Sequence, residues 1–127
     1  MIERYTLPEM GKIWSEEFKL ETWLKIEVLA CEARKNLGYI PANEFEEIKL
    51  NAKFDIKRVQ EIEETTKHDV IAFLTNVAEN VGPSSRHIHY GMTSSDVLDT
   101  ALAYQLKSAG ELLLKDLQQL KDILKKR

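Results

Sequence analysis

Three short polar stretches hold the side chains whose types and spacing could do chemistry: Arg4-Tyr5, Lys67-His68-Asp69, and the run from His89 through Gly91 to Thr93-Ser94-Ser95-Asp96. The guanidinium of Arg4 suits a phosphate or a carboxylate, which it can pair bidentately, and the phenol of Tyr5 adds a donor. Lys67, His68 and Asp69 place a fixed cation, a group titrating near neutral pH and an acceptor on one turn. In the third stretch Gly91 permits a positive φ, and Ser94, Ser95 or Asp96 can each cap the helix that follows. Hydroxyls there meet free backbone N–H groups and the positive end of a helix dipole, a setting that binds anions. Each stretch also has an ordinary reading: a charged chain end, a polar helix junction with Asp69 as cap, and a capped helix start after a glycine turn. His87 and His89 stand two apart, but no Cys or carboxylate completes a ligand set, so no metal site is expected. His89 is expected to face the pocket and His87 the opposite side.

The elements that must position these residues all read as helices, giving an all-α fold. Met1 to Gly11 reads as irregular, with Pro8 holding Leu7 extended. Ser15 caps a first long helix, with Glu16 and Glu17 in the turn where the dipole favours them. Phe18, Trp23, Ile26, Ala30, Ala33 and Leu37 then recur at helical spacing, and Gly38 ends the helix. Trp14 and Trp23 are assigned to the core, because aromatics at helical spacing are more often core than stacking platforms. Asn43, with Glu46 three residues on, and Asp55 cap two shorter helices. Another helix resumes at Val70 and runs through Phe73 and Val77 to Val81. From Ser95 a last helix continues to the chain end, with Leu98, Leu102, Leu106, Ala109, Leu113, Leu117, Leu120 and Leu124 spaced by threes and fours. Leu112, Leu114 and Ile123 widen that stripe beyond what one partner helix covers, so a place inside a bundle is expected. At 1.5 Å per residue this helix measures roughly 45–50 Å. It must project from the body it starts from, and it reaches Lys125-Lys126-Arg127 with no glycine or proline stop, as the front piece of a longer chain does.

Taken together, His89-Tyr90-Gly91-Met92-Thr93-Ser94-Ser95-Asp96, Glu64-Thr65-Thr66-Lys67-His68-Asp69-Val70 and Arg4-Tyr5 resemble the adenylosuccinate lyase branch of the fumarase/aspartase superfamily. The resemblance runs from Met1 to about Lys121 and covers only the front part of a family member. It implies an amino-terminal helical domain at 1–94 and the first long helix of a central bundle at 95–127. It also implies substrate-binding roles for Arg4, Tyr5, Lys67, His68, Asp69, His89, Thr93 and Ser94, with no metal and no cofactor. The implied reaction is a β-elimination in purine biosynthesis. It releases fumarate from adenylosuccinate to give AMP, and from the succinyl-aminoimidazole-carboxamide ribotide to give its carboxamide. Family members are homotetramers whose active sites draw residues from three subunits. Their general acid histidine and catalytic serine are expected beyond residue 127, so the 127-residue chain alone is expected to be inactive. Two alternatives stay open: another superfamily member, a cycloisomerase or an argininosuccinate lyase, and a non-enzymatic helical module whose leucine stripe docks a partner helix. The Lys67-His68-Asp69 cluster favours the purine branch, since the argininosuccinate branch carries a different string there.

Composition narrows the classes further. With 43% hydrophobic and 31% charged residues, 127 residues can bury a core. A net charge of -3 gives no basic footprint for nucleic acid. The lone Cys31 cannot form an internal disulfide and suits a reducing compartment, where it reads as a small buried hydrophobe. No stretch is apolar for long enough to span a bilayer, and Met1-Ile2-Glu3-Arg4 opens no signal peptide. A cytoplasmic protein with no membrane partner is expected.

Overall fold

The computed structural model describes residues 2–126; Met1 and Arg127, the outer ends of the expected irregular stretch and of the last helix, lie outside the described residues. Six α-helices carry the fold: α1 (Pro8–Ile13), α2 (Glu16–Asn36), α3 (Ala42–Asn51), α4 (Ile56–Thr66), α5 (Asp69–Val81) and α6 (Ser94–Lys125). Two 3₁₀ turns, Glu3–Tyr5 and Gly82–His87, supplement them, and there is no strand among the described residues. The all-α reading therefore holds.

The amino terminus is more ordered than expected. Leu7 is extended (φ -66°, ψ 140°), as the residue before a proline should be, but Pro8 then serves as the first residue of α1. A proline at that position loses no intrahelical bond and has its φ already set, so what reads as a breaker starts a helix. Trp14, assigned to the core, caps this short helix and stays 39% exposed.

α2 is the axis of the core. The hydroxyl of Ser15 accepts the Phe18 N–H at 3.1 Å, the expected cap. The buried residues are Leu20, Thr22, Trp23, Glu27 and Cys31, a face turned away from the expected stripe: of that stripe only Trp23 is buried, Phe18, Ile26 and Ala30 are half-buried, and Ala33 and Leu37 are exposed. Gly38 takes φ +82°, and the Tyr39 N–H reaches back to the Arg34 carbonyl at 2.9 Å, closing the carboxyl end. Trp23 meets Phe73 of α5 edge-on, with centroids 5.5 Å apart at 84°, the arrangement the ring quadrupoles favour.

α3 starts earlier than Asn43: Pro41 (φ -57°, ψ 141°) stands at the cap, with no side-chain hydrogen bond there. Asp55 does cap α4, its carboxylate accepting the Arg58 N–H at 2.8 Å. α4 and α5 form a tight hairpin joined by Lys67 and His68 alone, with Lys67 in the left-handed region at φ 52°. α5 buries Val70, Ala72, Phe73, Asn76, Val77 and Val81 against α2, α3 and α4.

α6 has 32 residues, about 48 Å at the standard rise. Only Val97, Ala101, Gln105 and Ala109 are buried, a small-residue face at a spacing of four against α2 and α1. The Gln105 amide donates to the Ile13 carbonyl at 2.8 Å and ties α1 to this face. The expected leucine stripe is not that face: Leu102 and Leu106 are already exposed, and beyond Ala109 Leu113, Leu117, Leu120 and Leu124 are 56%, 61%, 52% and 64% exposed. No helix among the described residues is long and apolar enough to cross a membrane.

Candidate functional site

Arg4 and Tyr5 lie in the 3₁₀ turn, both exposed, with the guanidinium 4.8 Å from the phenol ring centroid. The ring holds the cation in place without neutralising it, so the guanidinium edge stays open to an anion.

At the α4–α5 junction the cap is His68 rather than Asp69. Its Nδ1 accepts the Ile71 N–H at 3.4 Å, while Asp69 is already the first residue of α5 and accepts the Val70 N–H at 2.7 Å. His68 takes the extended conformation (φ -149°, ψ 114°) that a cap needs, and its ring reaches the same amide a serine would. An accepting Nδ1 carries no proton, which leaves Nε2 as the N–H donor of that ring. Asp69 Oδ1 stands 3.6 Å from Nδ1. Lys67 is exposed, and among the described residues it has no ion-pair partner.

The third stretch is a built helix start. Thr93, not Ser94, Ser95 or Asp96, is the cap of α6, because Thr93 is extended (φ -104°, ψ 164°) and Ser94 is already helical. Thr93 Oγ1 accepts the Ser95 N–H at 3.2 Å, and Asp96 returns a carboxylate to the Thr93 N–H at 2.8 Å, completing a capping box. The Thr93 hydroxyl keeps its own proton to donate. Among the described residues, neither the amide nor the hydroxyl of Ser94 has a partner, at the positive end of a helix of 32 residues. Gly91 takes φ +77° in the turn before it, as its type predicts.

His89 is held quite differently from the rest. Its Nδ1 is 2.6 Å from Glu27 Oε1, its backbone N–H donates to Glu27 Oε2 at 2.9 Å, and its φ is 61°. His87 turns to the other side, as expected, where its Nε2 meets Glu44 at 2.7 Å and Arg86 joins the same carboxylate. Hydrogen bonding from His87, with help from Arg86, holds the Glu44 carboxyl below the usual carboxylate range. No group of three or more His, Cys, Asp or Glu side chains among the described residues could hold a metal ion.

Sequence reasoning missed Glu27 and Arg34. The signal was there for Glu27: it falls on the Leu20, Trp23, Cys31 spacing, so a carboxylate on that face had to be buried and partnered. Arg34 donates to the Tyr90 carbonyl at 3.2 Å and lies 4.2 Å from the Tyr90 ring centroid. Among the described residues, the side chains of Arg4, His68, Asp69 and Thr93 meet only groups within three residues along the chain, and of the expected site residues only His89 is tied by its side chain to a distant element.

The profile of the family described as Lyase matches residues 3–127. The chain is 62% identical over 120 residues to the adenylosuccinate lyase of Synechocystis sp., covering 94% of this chain and 28% of that protein. It is 50% identical over 127 residues to the adenylosuccinate lyase of Bacillus subtilis, covering 100% of this chain and 30% of that protein. Among solved structures, the 3-carboxy-cis,cis-muconate lactonizing enzyme of Pseudomonas putida superposes with a TM-score of 0.84 at 27% identity, over 93% of this chain and 28% of that one. The chain thus spans less than a third of the length of these relatives.

Proposed function

The chain belongs to the Lyase family, and from that premise we propose that it forms the substrate-binding front of an adenylosuccinate lyase, a cytoplasmic enzyme of purine biosynthesis. The observation that carries this reading is the identity of 62% and 50% to two adenylosuccinate lyases over nearly the whole chain. The 27% identity to a lactonizing enzyme leaves the cycloisomerase reading well behind. The geometry supports the assignment: cations and donors in all three stretches are left open, where a helical interaction module needs only caps.

In the proposed reaction a base removes a proton next to one carboxylate of the succinyl group. The C–N bond breaks, the double bond of fumarate forms, and the departing nitrogen takes a proton. The residues of this chain bind and orient. The Ser94 amide and hydroxyl and the Thr93 hydroxyl receive a succinyl carboxylate, where preorganised donors meet the charge that develops in the transition state. Arg4 and Tyr5, with Lys67, His68 and Asp69, receive the phosphate and ribose end. The bonds of each stretch stay local, which fits a site assembled from several subunits of a homotetramer. The open leucine face of α6 is then the part of residues 95–127 that enters a central bundle, and residues 1–94 form the domain in front of it.

Titration of the chain with AMP, read by amide and side-chain chemical shifts, tests the binding role. Shifts are expected at Arg4, His68 and the Thr93-Ser94 amides; shifts confined to the α3 face contradict the reading.

A further inference from the structure

One face of α2 meets the segment before the α6 signature residue by residue. Glu27, Cys31 and Arg34 lie at a spacing of four and three, on one side of the helix. Cys31 donates to the His87 carbonyl at 3.6 Å, Glu27 accepts from the His89 backbone and meets its ring, and Arg34 donates to the Tyr90 carbonyl. Three grips on residues 87–90 accompany a positive φ at His89, uncommon for a residue other than glycine.

The carboxylate of Glu27 is 1% exposed, and both of its oxygens are engaged by His89. A buried carboxylate can only accept, so the ring nitrogen facing it must carry the proton. The other nitrogen, Nε2, has no protein partner among the described residues. No buried side-chain nitrogen or oxygen there lacks a partner, so Nε2 is open to solvent. We propose that Glu27 is a positioning residue: it fixes His89 as the Nδ1–H form and presents an unprotonated Nε2 to solvent, two residues before Gly91 in the same stretch, ready to accept a proton or a hydrogen bond from a bound substrate. The value of this arrangement to catalysis rests on the lyase reading; the arrangement itself does not.

Glu27→Gln separates positioning from mere packing. It keeps the volume and one acceptor oxygen, which the His89 backbone N–H claims, and so turns an NH₂ donor onto Nδ1. The ring must then accept at Nδ1 and carry its proton on Nε2. Long-range proton–nitrogen spectra of the imidazoles, recorded where the rings are neutral, read this directly. The wild-type chain is expected to show His89 protonated at Nδ1, and Glu27→Gln is expected to exchange the two nitrogen resonances. A wild-type His89 protonated at Nε2, or a folded Glu27→Gln chain with unchanged nitrogens, overturns the proposal. Should Glu27→Gln lose its helical circular dichroism, the wild-type spectrum alone decides. An Nδ1–H His89 in a chain whose AMP shifts fall only on the α3 face leaves Glu27 in its role and removes the lyase reading, whereas shifts at Arg4, His68 and Thr93-Ser94 with an Nε2–H ring do the reverse.

Discussion

Cys31 shows how far a single side chain here is ruled by its surroundings. It is 1% exposed, and burial first, then the charge of Glu27, pushes its thiol up from the ordinary 9.0 to about 11. A folded value raised above the unfolded one means that the folded chain keeps its proton where the unfolded chain has lost it. The stability tied to this group is fully present below about pH 9 and is lost as pH rises towards 11. Denaturation midpoints measured across that window should fall more steeply for wild type than for Cys31→Ala, and parallel curves contradict the assignment. The same neighbourhood explains why His89 was placed from its motif without its partner. The motif names the histidine, while the partner lies 62 residues earlier in a helix. Only the period of the buried face, Leu20, Trp23, Glu27, Cys31, marks the carboxylate as inward.

At the scale of elements, helix existence and order were readable from α2 onward, because the apolar periods of α2, α4, α5 and α6 are long and regular, whereas α1 is short and opens on a proline. Their starts were less so, for a reason visible at two positions. Asn43 with Glu46 has the pattern of a capping box and is not one, since Pro41, two residues earlier, is the cap and α3 begins at Ala42. Thr93 with Asp96 has the same pattern and is one, yet Ser94 and Ser95 beside it rank above threonine as caps, so residue type alone points to the wrong residue. The backbone decides: the extended residue is the cap. This separates structural from binding roles on adjacent hydroxyls. Thr93→Ala should destabilise the chain by about 1 kcal/mol, the usual worth of a cap. Ser94→Ala, whose hydroxyl caps nothing, should stay within about 0.5 kcal/mol of wild type in urea denaturation. Equal losses would place Ser94 in the cap after all.

At the scale of the whole molecule, the chain is a compact helical body from which half of α6 extends with its leucines uncovered. The sequence foretold that extension from the length of the stripe, and in the structure the buried Val97, Ala101, Gln105, Ala109 face ends at Ala109, while Leu102 and Leu106 of the stripe are already exposed. What covers the rest was not legible, because a leucine stripe specifies apolar contact and not the identity of the partner. The three polar stretches are likewise legible as candidate anion-binding pieces, and in the proposed reading their assembly into one site depends on contacts outside this chain. The central claim is that these pieces serve an adenylosuccinate lyase, and a graft tests it most directly. Residues 1–127 of this chain would replace the matching 30% of the Bacillus subtilis enzyme, to which they are 50% identical, and fumarate release from adenylosuccinate would be measured. The graft is expected to release fumarate, and Ser94→Ala within it to lose most of that turnover. A graft that folds and assembles as the parent does yet releases no fumarate, or one indifferent to Ser94→Ala, contradicts the account.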